Sequence, residues 1–157
     1  MRDIILKYQR VILIVTCLLV TFFGATILIL HEGIYISPDE TANAYFSAHF
    51  AQTGDLRVPQ NINQELGDYF YPRSTLSHLG DLIPSGFIGL PVLYGSLAAV
   101  FGSFMIPWFT LIISLLAIVS WYFTTKQLFP KRVAFLATIL LATHPAWWYY
   151  SARSLMP

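Results

Sequence analysis

Residues Val11 to Leu30 carry no charge, and neither do the 44 residues from Leu82 to Thr125. Twenty residues at about 1.5 Å each make a helix of roughly 30 Å, the thickness of a hydrocarbon core. The first run therefore predicts a transmembrane helix over 11–30, and the second has length for one span or two. The rest of the composition agrees. Hydrophobic residues make up 56% of the 157, and charged residues only 11%, against roughly 25% in a soluble domain. A net charge of +1 excludes the dense basic field of a nucleic-acid binder, and so apolar a chain is not disordered. The single cysteine, Cys17, lies inside the first apolar run and reads as a small hydrophobe.

The positions of the few charges suggest an orientation. Arg2, Lys7 and Arg10 precede the first run. That run is longer than the roughly 7–15 apolar residues of a signal peptide and ends Leu-His-Glu-Gly, so a retained anchor with residues 1–10 in the cytoplasm is expected. Seven of the eight acids then fall between residues 32 and 81, with only Arg57 and Arg73 among them. This marks 31–83 as an acidic loop on the outer face. Lys126, Lys131 and Arg132 form a basic turn at 126–132, which the positive-inside tendency places in the cytoplasm. Only one span, near 106–125, can then lie between loop and turn. Residues 84–102 hold Pro84, Pro91 and four glycines, weak material for a spanning helix, and are expected to form an interfacial or re-entrant helix. A third span is expected over 133–151, ending in the aromatic belt Trp147-Trp148-Tyr149-Tyr150. The expected fold class is thus an all-α integral membrane protein with three spans. The alternative is four spans, with Ile83–Phe104 crossing as well.

Within the loop, Ser37-Pro38-Asp39-Glu40 is a helix start. Serine is the N-cap, proline takes the first helical position, and glutamate at the third completes a capping box. A helix over 38–52 that stops at Gly54 is expected, with Ala42, Tyr45, Phe46, His49 and Phe50 on its apolar stripe. Asp39 and Glu40 complement the helix dipole. They are also a carboxylate pair beyond the end of a span, with Asp39 suited to accept a hydrogen bond from a nucleophile and Glu40 the structural member. His144, before Pro145 inside the third span, is expected to satisfy a carbonyl freed by the proline. His31, His49 and His78 show no metal-binding spacing.

In order and composition, the chain resembles the N-terminal part of the GT-C glycosyltransferases that use polyprenyl-phosphate-linked sugars. These include the protein O-mannosyltransferases and the aminoarabinose transferases. The elements that carry the resemblance are the outer Ser-Pro-Asp-Glu-Thr opening a helix that ends Gln-Thr-Gly-Asp-Leu, the apolar stretch closing on Phe101-Gly102, the Leu-Phe-Pro-Lys-Arg turn, and Ala-Thr-His-Pro followed by aromatics and Ser-Ala-Arg. The Asp-Glu pair is the most specific of them.

The resemblance implies a glycosyltransferase of the plasma or inner membrane, multi-pass, with its N-terminus cytoplasmic. It would move a sugar, with inversion, from a polyprenyl-phosphate carrier to an acceptor protein, lipid or glycan at the outer face. Asp39 would activate the acceptor or help hold a divalent metal, and Glu40 would be its neighbouring acid. Arg153 and Arg73 would be candidates for the lipid phosphate, since guanidinium binds phosphate oxygens bidentately. Edge-of-membrane snorkelling for Arg153 and pairing with Glu65 or Asp68 for Arg73 are the plainer readings. Several relatives carry a second acidic motif in the next outer loop, but here the chain reads Ser-Ala-Arg-Ser-Leu-Met-Pro at that place. One carboxylate pair is a poor site for a cation wanting six or more oxygens. Ending within a few residues of a span, the sequence is expected to be the first module of a longer enzyme. The rival expectation is a non-catalytic small polytopic protein, a subunit or assembly partner of a transporter or glycosylation complex.

Overall fold

The computed structural model of the protein describes residues 2–30, 35 and 37–152. It is mostly helical, and it divides into two compact units, one of residues 2–30 with 110–152 and one of the described residues between 35 and 109.

The first unit contains helix α1 (Arg2–Leu30), most of α5 (Ile106–Leu128), α6 (Lys131–Ala142) and α7 (Pro145–Ala152). Two helices, Val11–Leu30 within α1 and Ser103–Leu128, are long and apolar enough to cross a membrane. Their large side chains are largely uncovered: Leu18 is 62% exposed, Phe22 63% and Leu30 75%. So long an apolar surface suits lipid as its solvent. Five hydroxyls in these helices are satisfied locally. Thr16, Thr21, Thr26 and Ser114 each donate to the carbonyl four residues back at 2.8 Å, and Thr125 does so at 2.7 Å. No unpaired polar group is thereby added to the apolar surface. Val20, Ile118 and Ala142 form the buried centre of this unit, with Cys17, Leu115, Trp147 and Trp148 against it.

Residues 133–151, expected as one span, are instead two helices broken at Thr143-His144. Pro145 has no N–H to continue the ladder and disfavours helical geometry at the residue before it. The carbonyl of Ala142 is met by the Trp148 indole N–H at 2.5 Å. The expectation for His144 is corrected as well: its Nδ1 faces an amide, that of Ala146, at 3.2 Å and caps the start of α7.

The second unit is built on α2 (Pro38–Thr53), flanked by a small sheet and by α4 (Gly89–Phe101). Its ends follow the sequence. Ser37 Oγ accepts from the Glu40 amide at 3.2 Å, and the Glu40 carboxylate accepts from the Ser37 amide at 3.1 Å. Gly54 closes the helix at φ 73°, its N–H on the Phe50 carbonyl at 2.8 Å. Two sides of α2 are covered rather than one stripe. Ala44, Ala48 and Ala51 pack with Tyr94, Ala98 and Phe109, whereas Ala42 and Phe46 pack with Leu56, Val58 and Leu82. Tyr45, placed on the apolar stripe by its spacing, is 49% exposed. Small residues let α2 and α4 approach closely. A Cβ on Gly95 would lie 2.8 Å from the Ser47 carbonyl oxygen and from the Phe50 ring.

The sheet corrects the all-α expectation. Strands β1 (Val58–Pro59), β2 (Thr75–His78) and β3 (Asp81–Pro84) are antiparallel in the order β1-β3-β2, with a short helix α3 (Asn61–Leu66) between the first two. The expected helix over 84–102 therefore begins only at Gly89, because 81–84 belong to β3. The register His78↔Asp81 leaves a two-residue hairpin turn, Leu79-Gly80, and both have positive φ, 55° and 85°. That is the primed turn whose twist matches the strands. Leucine is a strained choice there. Asp68 holds it: its carboxylate accepts from Ser77 Oγ at 2.6 Å, the Gly80 amide at 2.8 Å and the Leu79 amide at 2.9 Å. These donors, the Ser77 hydroxyl first, lower the Asp68 carboxyl below its ordinary range.

Candidate functional site

The capping box separates the two acids at the start of α2. Glu40, at the third helical position, turns back into the cap and is 2% exposed. Asp39, one position earlier, points away from the cap and stays exposed. Its Oδ1 accepts a hydrogen bond from the Ser74 hydroxyl, 35 residues on in the sequence. Ser74 precedes β2 in a turn closed by Thr75, whose amide and hydroxyl both donate to the Pro72 carbonyl, at 3.2 and 2.6 Å. Thr75 pairs with Pro84 in the sheet, so the turn is tied to β3.

Clefts lie on either side of this contact, and Ala42 lines both. One, of about 320 Å³, is lined by Asp39, Asn43, Ser74 and Ser85, with Phe87 and Leu90 as apolar wall. The other, of about 460 Å³, is lined by Thr41, Tyr45, Gln60, Arg73 and Thr75. A carboxylate and a guanidinium from distant parts of the sequence thus stand in adjacent clefts over the first turns of α2. Nearby, burial and then the Glu40 charge push the Tyr35 phenol above its ordinary value, so it is a hydrogen-bond donor at neutral pH.

Of the residues expected from sequence, Asp39, Glu40 and Arg73 therefore come together around α2. Arg153 lies outside the described residues. The expected pairing of Arg73 with Asp68 does not form, because Asp68 is committed to the hairpin. His49 reaches the Arg57 carbonyl at 2.9 Å and ties the end of α2 to the segment entering β1. Ser74 and Asp68 carry no local signal of their roles; only the fold brings them to their partners. A divalent cation does not fit the donors present. Around Asp39 they are one carboxylate, two hydroxyls and an amide, with the Glu40 carboxylate held in the cap. No group of three or more His, Cys, Asp or Glu side chains converges among the described residues.

Compared with family models, curated proteins and solved structures, the chain matches none.

Proposed function

We propose that the chain is the N-terminal module of a GT-C-type glycosyltransferase. On this reading α1 runs from the cytoplasm outward, the unit around α2 stands on the outer face, and α5 returns to a cytoplasmic turn at 129–132. The broken pair α6 and α7 makes a third crossing. The donor is a sugar on a polyprenyl phosphate and the acceptor a nucleophile at the outer face. The observation that supports it most is the division of labour between the acids. Glu40 is spent on the cap, while the Asp39 carboxylate is displayed in a cleft of about 320 Å³ with an aromatic wall.

In the reaction, a lone pair of the acceptor forms a bond to the anomeric carbon. The bond from that carbon to the phosphate oxygen breaks, its electron pair leaving on the polyprenyl phosphate, and the acceptor's proton passes to Asp39. A positioned base contributes about 10²–10⁴-fold to such a step. Arg73, in the adjacent cleft, is the described candidate for the phosphate, a charge-assisted contact that suits guanidinium.

The test is transfer from a polyprenyl-phosphate sugar by membranes containing the whole natural protein. Asp39→Asn, which keeps size and can still bond to Ser74, should lower the rate by about 10²-fold or more. Equal rates for Asp39→Asn and wild type would remove Asp39 from the chemistry.

A further inference from the structure

We propose that Ser74 is the positioning residue for Asp39, and that the group docked beside it is an acceptor hydroxyl. The proposal rests on the role given to Asp39 above. A carboxylate on the exposed first turn of a helix can rotate freely, and a base must be held within reach of the proton it takes. Ser74 supplies the hold from a separate element. Its hydroxyl donates to Oδ1, and no other hydrogen bond reaches Asp39 among the described residues. Oδ2 is left without a described hydrogen bond, and Asp39 lines the cleft together with Asn43, Ser85 and Phe87.

The backbone gives a second argument. Ser74 has φ 68°, the left-handed region that glycine enters without strain and serine does not. What serine adds at this position is a hydroxyl aimed at a carboxylate, and strain of this kind is kept where the surroundings enforce it. Here the surroundings do so independently of Asp39, through the Thr75 bonds to Pro72 and the β2–β3 pairing. The bond from Ser74 also models the approach of substrate. A hydroxyl sits on one oxygen of Asp39 in hydrogen-bonding geometry, and the second oxygen offers the same acceptor to an incoming hydroxyl. That hydroxyl gives its proton to Oδ2 as its oxygen bonds to the anomeric carbon and the phosphate leaves. Ser74 keeps its own proton throughout.

The experiment compares wild type, Asp39→Asn, Ser74→Gly and Ser74→Asn in the membrane transfer assay, with thermal midpoints measured on the same proteins in detergent. Ser74→Gly removes the hydroxyl and the φ strain together. It should lower kcat by about tenfold or more, leave KM for the donor within about twofold, and keep or raise the midpoint. Ser74→Asn tolerates the left-handed backbone and carries an N–H donor, so it should recover part of the lost kcat. Wild-type transfer by Ser74→Gly, alongside a defective Asp39→Asn, would overturn the role of Ser74 and leave Asp39 standing. A fall in midpoint and kcat together, with Ser74→Asn no better, would mark an ordinary turn residue and overturn it equally. Transfer that is absent or indifferent to Asp39→Asn would overturn both readings.

Discussion

Asp68 shows what one carboxylate can do for a turn that its own residues do not favour. Leu79 is bulky, exposed and left-handed, and its amide and that of Gly80 both depend on Asp68. Because the folded state lowers the Asp68 carboxyl below the ordinary 3.8, its contribution to stability is fully present above that value. It is lost as pH falls through the folded value, since the unfolded chain takes up the proton first. We expect the amide-exchange protection of Leu79 and Gly80 to hold from neutral pH to about 4 and to decay below it, faster than that of amides in α2. Asp68→Asn should lose the same protection already at neutral pH, because an amide offers one acceptor oxygen where the carboxylate used two. Protection in the variant equal to wild type would mean that the turn stands without Asp68. Nothing in the local sequence announces this residue. It is one acid among seven in the loop, and its partners lie 9 to 12 positions away.

Between elements, α2 and α4 approach closely against backbone, which cannot swing aside as a side chain can. A methyl on Gly95 would meet the Ser47 carbonyl, which is backbone and can yield only if the helices part. Gly95→Ala should therefore destabilise the loop unit by about 1–3 kcal/mol, the usual cost of overpacking, and outweigh the gain in helix propensity of up to about 1 kcal/mol. A thermal midpoint at or above wild type would show that the helices have slack. The same scale separates what the sequence declares from what it conceals. Capping is local chemistry, so Ser37-Pro38-Asp39-Glu40 and Gly54 bracket α2 correctly. Composition likewise locates α1 and α5, because an apolar stretch of that length has few other uses. The sheet was not legible. Its strands have two to four residues, too short for alternation to register, and they pair through Asp68 and across α3. The bend at Thr143-His144 follows from Pro145, a single proline inside an otherwise apolar run that has the length of a span. The candidate site is half legible for the same reason. Asp39 stands out beside its cap, whereas Ser74 gains its meaning from a contact spanning 35 residues.

At the scale of the whole molecule, the basic residues and the lengths of the elements favour the proposed three-span reading over four spans. Four spans would require Ile83–Phe104 to traverse the bilayer. Residues 81–84 are a strand, however, and α4 has 13 residues, about 20 Å at 1.5 Å each, well short of roughly 30 Å. One face of α4 is moreover occupied by α2. On the proposed reading, a single crossing by α5 would put Lys126, Lys131 and Arg132 on the same side as Arg2, Lys7 and Arg10, in keeping with the bias of cytoplasmic segments towards bases. The prediction is best tested with single cysteines in a Cys17→Ser background, which removes the one native thiol. In intact cells a membrane-impermeant maleimide should label Gln52→Cys, exposed near the end of α2. It should spare Lys131→Cys until the membrane is opened with detergent. Labelling of both positions from outside would place the basic turn with the acidic loop. The chain would then cross an even number of times between them, the Asp39 cleft and the turn would share one compartment, and the three-span reading would fall.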